Sequence, residues 1–220
     1  SKEGHGVINA GIYAFEQRIF EEIEATPRQS GELALTEPIE RLVGQRAVTG
    51  VPIEGIWVDA TYPWDLLSVA REVLDQGWTS EPESKPGVWI DEEAAIHDDA
   101  TLQPPVVVGP DCELAAGAVV GPNVALSRNV TVGPNATVER AVVDEDSRIG
   151  HGSTVIDTVL GQDTDLGAGT VIPGGPSDVR VGNQIYEDQA LGAVLADRVD
   201  VAGGVSFEPG TLVGKKAQIE

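Results

Sequence analysis

The sequence predicts a parallel β-helix in its second half, preceded by a smaller α/β segment. Three observations carry that prediction. From Ile90 an aliphatic residue recurs every sixth position, through Ile96, Leu102, Val108, Leu114, Val120, Leu126, Val132 and Val138. Four residues after each stands something small or β-branched and uncharged: Ala94, Ala100, Val106, Cys112, Ala118, Val124, Val130, Ala136 and Val142. Between these positions fall Pro110-Asp111, Pro122-Asn123, Arg128-Asn129 and Pro134-Asn135, with Gly109, Gly121 and Gly133 preceding three of the pairs. A period of six matches neither a helix nor a hairpin strand. It matches one short strand plus one corner, repeated into a three-sided prism. Glycine and asparagine tolerate the tight or left-handed backbone that a corner demands.

The register slips by one residue at Val143 and again at Leu160, continues through Ile149, Val155 and Leu166, and resumes as Val201, Phe207, Val213 and Ile219. Val205, Thr211 and Ala217 take the inner partner positions there. Residues 172–200 break the rhythm and are expected to form a loop thrown out from the prism. Cys112 falls in an inner position, so it is expected to be a small buried hydrophobe and not a nucleophile. As the single cysteine it cannot form an intramolecular disulfide, which suits a reducing compartment.

The first eighty residues carry α/β punctuation. Val7 to Phe15 and Gly55 to Ala60 read as strands. Ile19, Phe20 and Ile23 lie on one face of a helix stopped before Pro27. Thr36 is placed to cap a second helix that begins near Pro38 and ends before Gly44. Pro63 opens a third, with Leu66, Leu67, Val69, Ala70, Val73 and Leu74, closed by Gly77. These readings divide the chain into 1–78, a Ser/Glu/Pro-rich linker at 79–87, and the prism at 88–220.

The 220 residues hold 36 acidic and 14 basic side chains, for a net charge of −22, and the acids are spread along the whole length. Such a surface repels nucleic acid and anionic membranes. Dispersed acid with only four lysines fits the cytoplasm of a halophile, where salt screens self-repulsion. No apolar run reaches the roughly 18 residues of a membrane span, and no signal peptide opens the chain. The sequons at Asn129 and Asn135 are therefore read as corner asparagines. With no methionine, even at position 1, the chain is expected to start at a processing point or inside a longer protein.

Over most of 88–220 the sequence resembles the hexapeptide-repeat family of left-handed parallel β-helices. The left hand and association as a homotrimer are implied by that resemblance. Upstream, Asn9-Ala10-Gly11-Ile12-Tyr13-Ala14-Phe15, Gly31 to Glu37, and Gly55-Ile56-Trp57-Val58-Asp59-Ala60-Thr61-Tyr62-Pro63-Trp64-Asp65-Leu66-Leu67 resemble sugar-1-phosphate nucleotidyltransferases. The combination is similar to archaeal glucose-1-phosphate thymidylyltransferases and N-acetylglucosamine-1-phosphate uridylyltransferases. In that family a sugar 1-phosphate attacks the α-phosphate of a nucleoside triphosphate and releases pyrophosphate, with Mg2+ neutralising phosphate charge.

The resemblance implies that Asp59 is a magnesium ligand and that Asn9, Ala10 and Gly11 contact the sugar phosphate. Position 61 is Thr where the family commonly has Gly. The family's glycine-rich nucleotide loop, with its basic residues and first magnesium aspartate, has no counterpart ahead of residue 9. The chain is therefore expected to be a C-terminal portion with no catalytic residue of its own and no nucleotide transfer by itself. An alternative is an acetyl-CoA-dependent sugar acyltransferase. Leu191 to Gly210 resembles the end of the archaeal bifunctional enzymes, which makes Gly192, Ala193, Gly203 and Gly204 candidates for an acyl-CoA groove. The histidine base expected just before it is absent from Ile172 to Asp178, and His5, His97 and His151 lie elsewhere. A purely structural trimerisation module is the third reading.

Overall fold

Strands of two or three residues persist only if each finds a hydrogen-bonding partner one turn away. In the computed structural model, which describes residues 9–27 and 35–220, every turn of the prism supplies that partner. Ile90 lies beside Val108, and Val108 beside Leu126, in parallel register, so these turns take 18 residues. Leu126, Val143 and Leu160 follow at 17-residue intervals. The fold is a parallel β-solenoid of the left-handed β-helix type; the repeat predicts the solenoid, and the family resemblance its hand. Its core is the column of aliphatic positions, with Val108, Val120, Val132, Val138, Val143, Val155, Leu160 and Leu166 all fully buried. Each such side chain removed from water contributes about 1.5–3 kcal/mol.

The first side of the prism contains Val88–Ile90, Val106–Val108, Val124–Leu126, Ala193–Leu195 and Thr211–Val213. The second contains Ala95–Ile96, Glu113–Leu114, Thr131–Val132, Arg148–Ile149, Asp165–Leu166, Asp200–Val201 and Gln218–Ile219. The third contains Thr101–Leu102, Val119–Val120 and Val171–Ile172. Thr137–Val143 and Thr154–Leu160 run from the third side onto the first without a break. Corner asparagines and aspartates take the left-handed backbone expected of them, with φ of 58° at Asp111, 56° at Asn123, 57° at Asn129 and 55° at Asn135.

The slipped register has a local cause. Gly121-Pro122-Asn123 turns the corner between third and first sides with three residues, whereas Glu139-Arg140 and Ile156-Asp157 turn it with two. Arg140 and Asp157 take up the bend at φ of 45° and 49°. Ala141, not Val142, therefore fills the inner position beside Val124. Counting four from Val138 misses a shortening that only the corner reveals.

The segment expected as a loop at 172–200 contains a β-hairpin. Pro176–Val181 pairs antiparallel with Gln184–Ala190, and the prism is already resumed at Ala193. The hairpin is ordered by packing. Val179 and Leu191 are fully buried with Trp64, Val159 and Val194, backed by Tyr62, Leu67 and Tyr186. Val159 and Val194 belong to an outward column on the first side, Trp89–Val107–Ala125–Val142–Val159–Val194–Leu212, which is apolar throughout. Helix α3 (Asp65–Asp75) also packs on this side. The first side is thus apolar on both surfaces because it has a second layer to bury against.

The chain divides into two compact units, Ser1–Trp57 and Val58–Glu220. In the first, helices α1 (Arg18–Glu24) and α2 (Thr36–Gly44) are tied by Arg41, whose Nε donates to Glu22 Oε2 at 3.0 Å and whose Nη2 donates to Thr26 Oγ1 at 2.5 Å. The Arg41 hydrogen bond holds the Glu22 carboxyl below its ordinary range. Thr36 lies inside α2 and makes no cap; Leu35 precedes it at the N-terminus. Helix α3 does end before a left-handed Gly77, at φ 66°. Two expected strands are corrected. Residues 9–15 and 55–60 are extended or bent but form no strand, since the described residues offer them no ladder partner. Residues 7 and 8 of the first, together with Gly31 to Ala34 and His5, lie outside the described residues. Within the 79–87 stretch, Glu83–Lys85 pairs antiparallel with Val88–Ile90.

Candidate functional site

In the first unit two of the resembling segments meet. Asn9 forms an Asx turn: its Oδ1 accepts the Gly11 backbone N–H at 3.0 Å, and its Nδ2 donates to the Tyr13 hydroxyl. The turn sets Gly11 at φ 74°, where a side chain would be strained, and no heavy atom lies within 4 Å of the place a Cβ would occupy. The Trp57 indole N–H donates to the Ala10 carbonyl at 3.3 Å and so brings the second segment to the first. Tyr13 stacks on Phe15 at 5.3 Å between ring centroids. The result is a backbone turn open on one side and braced on the other by a tryptophan. A sugar or phosphate oxygen could approach such a turn without meeting a side chain.

Asp59 belongs to the second unit. Its carboxylate is exposed and makes no hydrogen bond or ion pair among the described residues. A hard, unpaired carboxylate suits magnesium, which is usually held by one or two carboxylates with water and substrate phosphate completing the shell. No cluster of three acidic, histidine or cysteine groups among the described residues could hold a metal unaided.

The four candidates for an acyl-CoA groove are not brought together in one chain. Ala193 is fully buried in the prism core, and a Cβ on neighbouring Gly192 would stand 2.1 Å from the Ile156 carbonyl oxygen, so both serve packing here. Gly203 and Gly204 are exposed at the corner that follows the second side. His97 and His151 are exposed at corners, as expected; His97 Nδ1 accepts the Asp99 backbone N–H at 3.1 Å.

Sequence reasoning missed one polar constellation, at the root of the hairpin. Asp157 is nearly buried, and its Oδ1 accepts Arg140 Nε at 2.5 Å. Its Oδ2 accepts the Gly175 backbone N–H at 3.1 Å, and its carbonyl accepts the Gly192 N–H at 2.7 Å. Both ends of the inserted hairpin are therefore clasped by one aspartate, whose charge is matched by Arg140. The 17-residue spacing of Arg140 and Asp157, one shortened turn, was the available signal. Nearby, Tyr62 stacks on Trp64 at 4.6 Å, and the Tyr62 and Tyr186 hydroxyls hydrogen-bond to each other. That bond raises the Tyr186 pKa.

The family described as GMPPB C-terminal domain matches residues 113–220. Along 97% of its length the chain is 31% identical to the bifunctional protein GlmU of Methanocaldococcus jannaschii, covering 56% of that protein. It is 30% identical, again over 97%, to a bifunctional sugar-1-phosphate nucleotidylyltransferase/acetyltransferase of Sulfurisphaera tokodaii, covering 57% of it. The chain is similar to these GlmU-type proteins along nearly its whole length. It spans about half the length of the curated relatives it matches. Among solved structures, a hexapeptide transferase family protein from Anaplasma phagocytophilum is similar at 19% identity with a TM-score of 0.41, over 58% of this chain and 70% of that one. The acetyltransferase domain of PglB from Neisseria gonorrhoeae, solved with acetyl coenzyme A, is similar at 19% identity with a TM-score of 0.32, over 67% and 63%. No described helix is long and apolar enough to cross a membrane.

Proposed function

We propose that the chain is the C-terminal portion of a sugar-1-phosphate nucleotidyltransferase, which joins a sugar 1-phosphate to a nucleoside triphosphate and releases pyrophosphate. The observation that carries the reading is the meeting of its two motif segments, where Trp57 braces the open turn at Ala10–Gly11. On this reading 1–78 is the end of the catalytic domain, and 88–220 is a scaffold that assembles catalytic domains as a homotrimer. Asn9, Ala10 and Gly11 bind the sugar phosphate: the Gly11 position lets an oxygen reach the backbone, and the Asn9 amide adds a polar contact. Asp59 supplies one carboxylate to magnesium, whose chemistry is to neutralise charge on the phosphates. The nucleotide is thymidine or uridine triphosphate, and the sugar glucose or N-acetylglucosamine 1-phosphate. Within its 220 residues the chain carries no glycine-rich phosphate loop, so alone it transfers no nucleotide. Its acidic composition supports a location in the cytoplasm of a halophile.

A second reading is favoured by the Sulfurisphaera tokodaii relative, which is described as both a sugar-1-phosphate nucleotidylyltransferase and an acetyltransferase. On that reading the prism acetylates a sugar amine from acetyl-CoA. One pair of assays separates the two. With the complete coding sequence, pyrophosphate release from triphosphate and sugar 1-phosphate is expected, falling at least a hundredfold in Asp59→Ala. Activity intact in that variant removes Asp59 from the site. With the 220-residue chain, CoA release from acetyl-CoA and an amino sugar phosphate is expected to stay at background, and turnover there would establish the second reading.

A further inference from the structure

The hairpin adds a coil's worth of chain that the prism itself does not use. Leu195 follows Leu160 by 35 residues, whereas Leu160 follows Val143 by 17 and Val213 follows Leu195 by 18. Leu160 and Leu195 nevertheless pair in parallel register, so the aliphatic column closes without the inserted residues. The base of the hairpin is tied to the prism. Ser177 Oγ donates to the Gln189 carbonyl at 3.2 Å, and the Gly210 N–H donates to the Leu191 carbonyl at 2.8 Å. With the Asp157 clasp, these bonds hold both strands at one end. Further out, the hairpin presents Tyr186.

Tyr186 meets Tyr62, which stands near the start of the same compact unit, three residues beyond Asp59. The Tyr62 ring stacks on Trp64 and lies against Tyr186, each at 4.6 Å between centroids, and Tyr186 is 5.7 Å from Trp64. The Tyr186 hydroxyl donates to Gln184 Oε1 at 2.5 Å, which leaves its oxygen to accept the Tyr62 hydroxyl proton. The backbone of Tyr62 is fixed as well. Its N–H donates to Asp65 Oδ2 at 2.7 Å, and its carbonyl accepts the Asp65 N–H at 2.9 Å. Asp59, Ala60 and Thr61, by contrast, make no hydrogen bond among the described residues. Tyr62 is therefore the first anchored residue on the C-terminal side of the Asp59 carboxylate. Three residues of chain reach at most about 10 Å, so whatever fixes Tyr62 bounds where Asp59 can stand.

We infer that Tyr186 is a positioning residue for the Asp59 carboxylate: the hairpin is a strut from the prism to the Asp59–Tyr62 segment. The inference rests on the proposed role of Asp59 in holding magnesium. Two measurements test it. In the 220-residue chain, hydrogen exchange at the Tyr62 amide reports the hold of the hairpin without metal or substrate. Tyr186→Ala is expected to speed that exchange about tenfold, and Tyr186→Phe, which keeps the ring, about threefold. Ile185→Ser, at an exposed neighbour on the hairpin, is expected to leave it unchanged. With the complete coding sequence, Tyr186→Ala is expected to raise the Mg2+ concentration for half-maximal pyrophosphate release about tenfold. Excess Mg2+ should restore kcat, and Tyr186→Phe should lie nearer to wild type. A loss of packing alone would lower kcat at every Mg2+ concentration. Circular dichroism checks folding, and Tyr186→Leu replaces Tyr186→Ala should that variant fail to fold. Unchanged exchange in Tyr186→Ala overturns the strut. Faster exchange with unchanged Mg2+ demand, where Asp59→Ala is inactive, overturns the positioning role alone. Full activity in Asp59→Ala overturns the reading of Asp59 and the inference with it.

Discussion

The prism solves the same interior in two ways. In the coils from Val106 to Val138 the small inner positions are Val106, Cys112, Ala118, Val124, Val130 and Ala136, all apolar and fully buried. In the two shortened coils that follow, the corresponding positions are Ala141, Ser147, Ser153, Thr158, Thr164 and Thr170, equally buried but five of them hydroxyls. Each hydroxyl has a partner. Ser147 Oγ donates to the Gly161 carbonyl at 3.0 Å and accepts the Thr164 N–H at 3.2 Å. Ser153 repeats the pattern one corner on, with Gly167 at 3.3 Å and Thr170 N–H at 3.2 Å. Thr164 and Thr170 donate to the same two carbonyls at 2.8 and 2.7 Å. Beyond the hairpin, where the longer stride returns, Ala193 and Val199 are apolar again. The hydroxyls accompany the shortened turns, and each is bonded to a carbonyl, as a polar group must be if it is to be buried cheaply.

The comparison predicts that the two kinds of coil depend equally on their aliphatic column and unequally on everything else. Leu126→Ala and Leu160→Ala should each cost about 2–5 kcal/mol in urea unfolding, the largest effects expected, because both side chains are buried in the same column. A much smaller loss at Leu160 would mean that the shortened coils are loosely packed. Next in size is the clasp. Arg140→Met should cost about 1–3 kcal/mol, since it strands the nearly buried Asp157 carboxylate while Arg140 itself stays half in solvent. Adding Asp157→Asn should return part of that loss, and a double-mutant cycle without coupling would break the assignment.

The hydroxyls give a reciprocal pair. Thr164→Val removes a buried donor from the Gly161 carbonyl and should cost about 1–2 kcal/mol. Val130→Thr puts a hydroxyl into the same column one full coil earlier and should cost about as much, because Val130 is packed among apolar neighbours. If Val130→Thr proved neutral, hydroxyls would be tolerated in any coil, and turn length would not explain their placement.

What the sequence disclosed follows the same physical division. The aliphatic column was legible because a buried repeat leaves one residue type at one spacing, as at Val108, Val120 and Val132. The corners were legible because Asp111, Asn123 and Asn129 are types that accept left-handed backbone. Ala141 was not, since the deleted corner residue leaves no mark in composition. The hairpin was hidden because its order comes from Trp64 and Leu67, more than a hundred residues earlier. The extended stretches at 9–15 and 55–60 carry strand-like patterning, but a strand is a property of a pair, and patterning reports only one member. The candidate site was legible as motif residues, Asn9, Gly11 and Asp59. The brace from Trp57 to Ala10 and the clasp at Asp157 depend on distance, which no spacing rule conveys.

The smallest effect expected is at Cys112, and it tests whether the two interiors share one geometry. Its thiol donates to the Ser127 carbonyl at 2.9 Å. Two coils later Ser147 stands in the same column and donates to the Gly161 carbonyl, which is the corner residue equivalent to Ser127. Cys112→Ser should therefore keep its partner and change stability at pH 7 by no more than about 1 kcal/mol. Burial raises the Cys112 pKa above its ordinary value. A raised acid favours the folded state while the unfolded thiol is still protonated, below about pH 8.5, and that contribution is lost as pH climbs toward the folded value. Urea unfolding of both proteins at pH 7 and pH 10 should show wild type losing more stability than Cys112→Ser over that interval. Parallel pH dependence in the two would mean that the thiol is not held neutral by burial, and a large loss at pH 7 would mean that the corner at Cys112 is not the corner at Ser147.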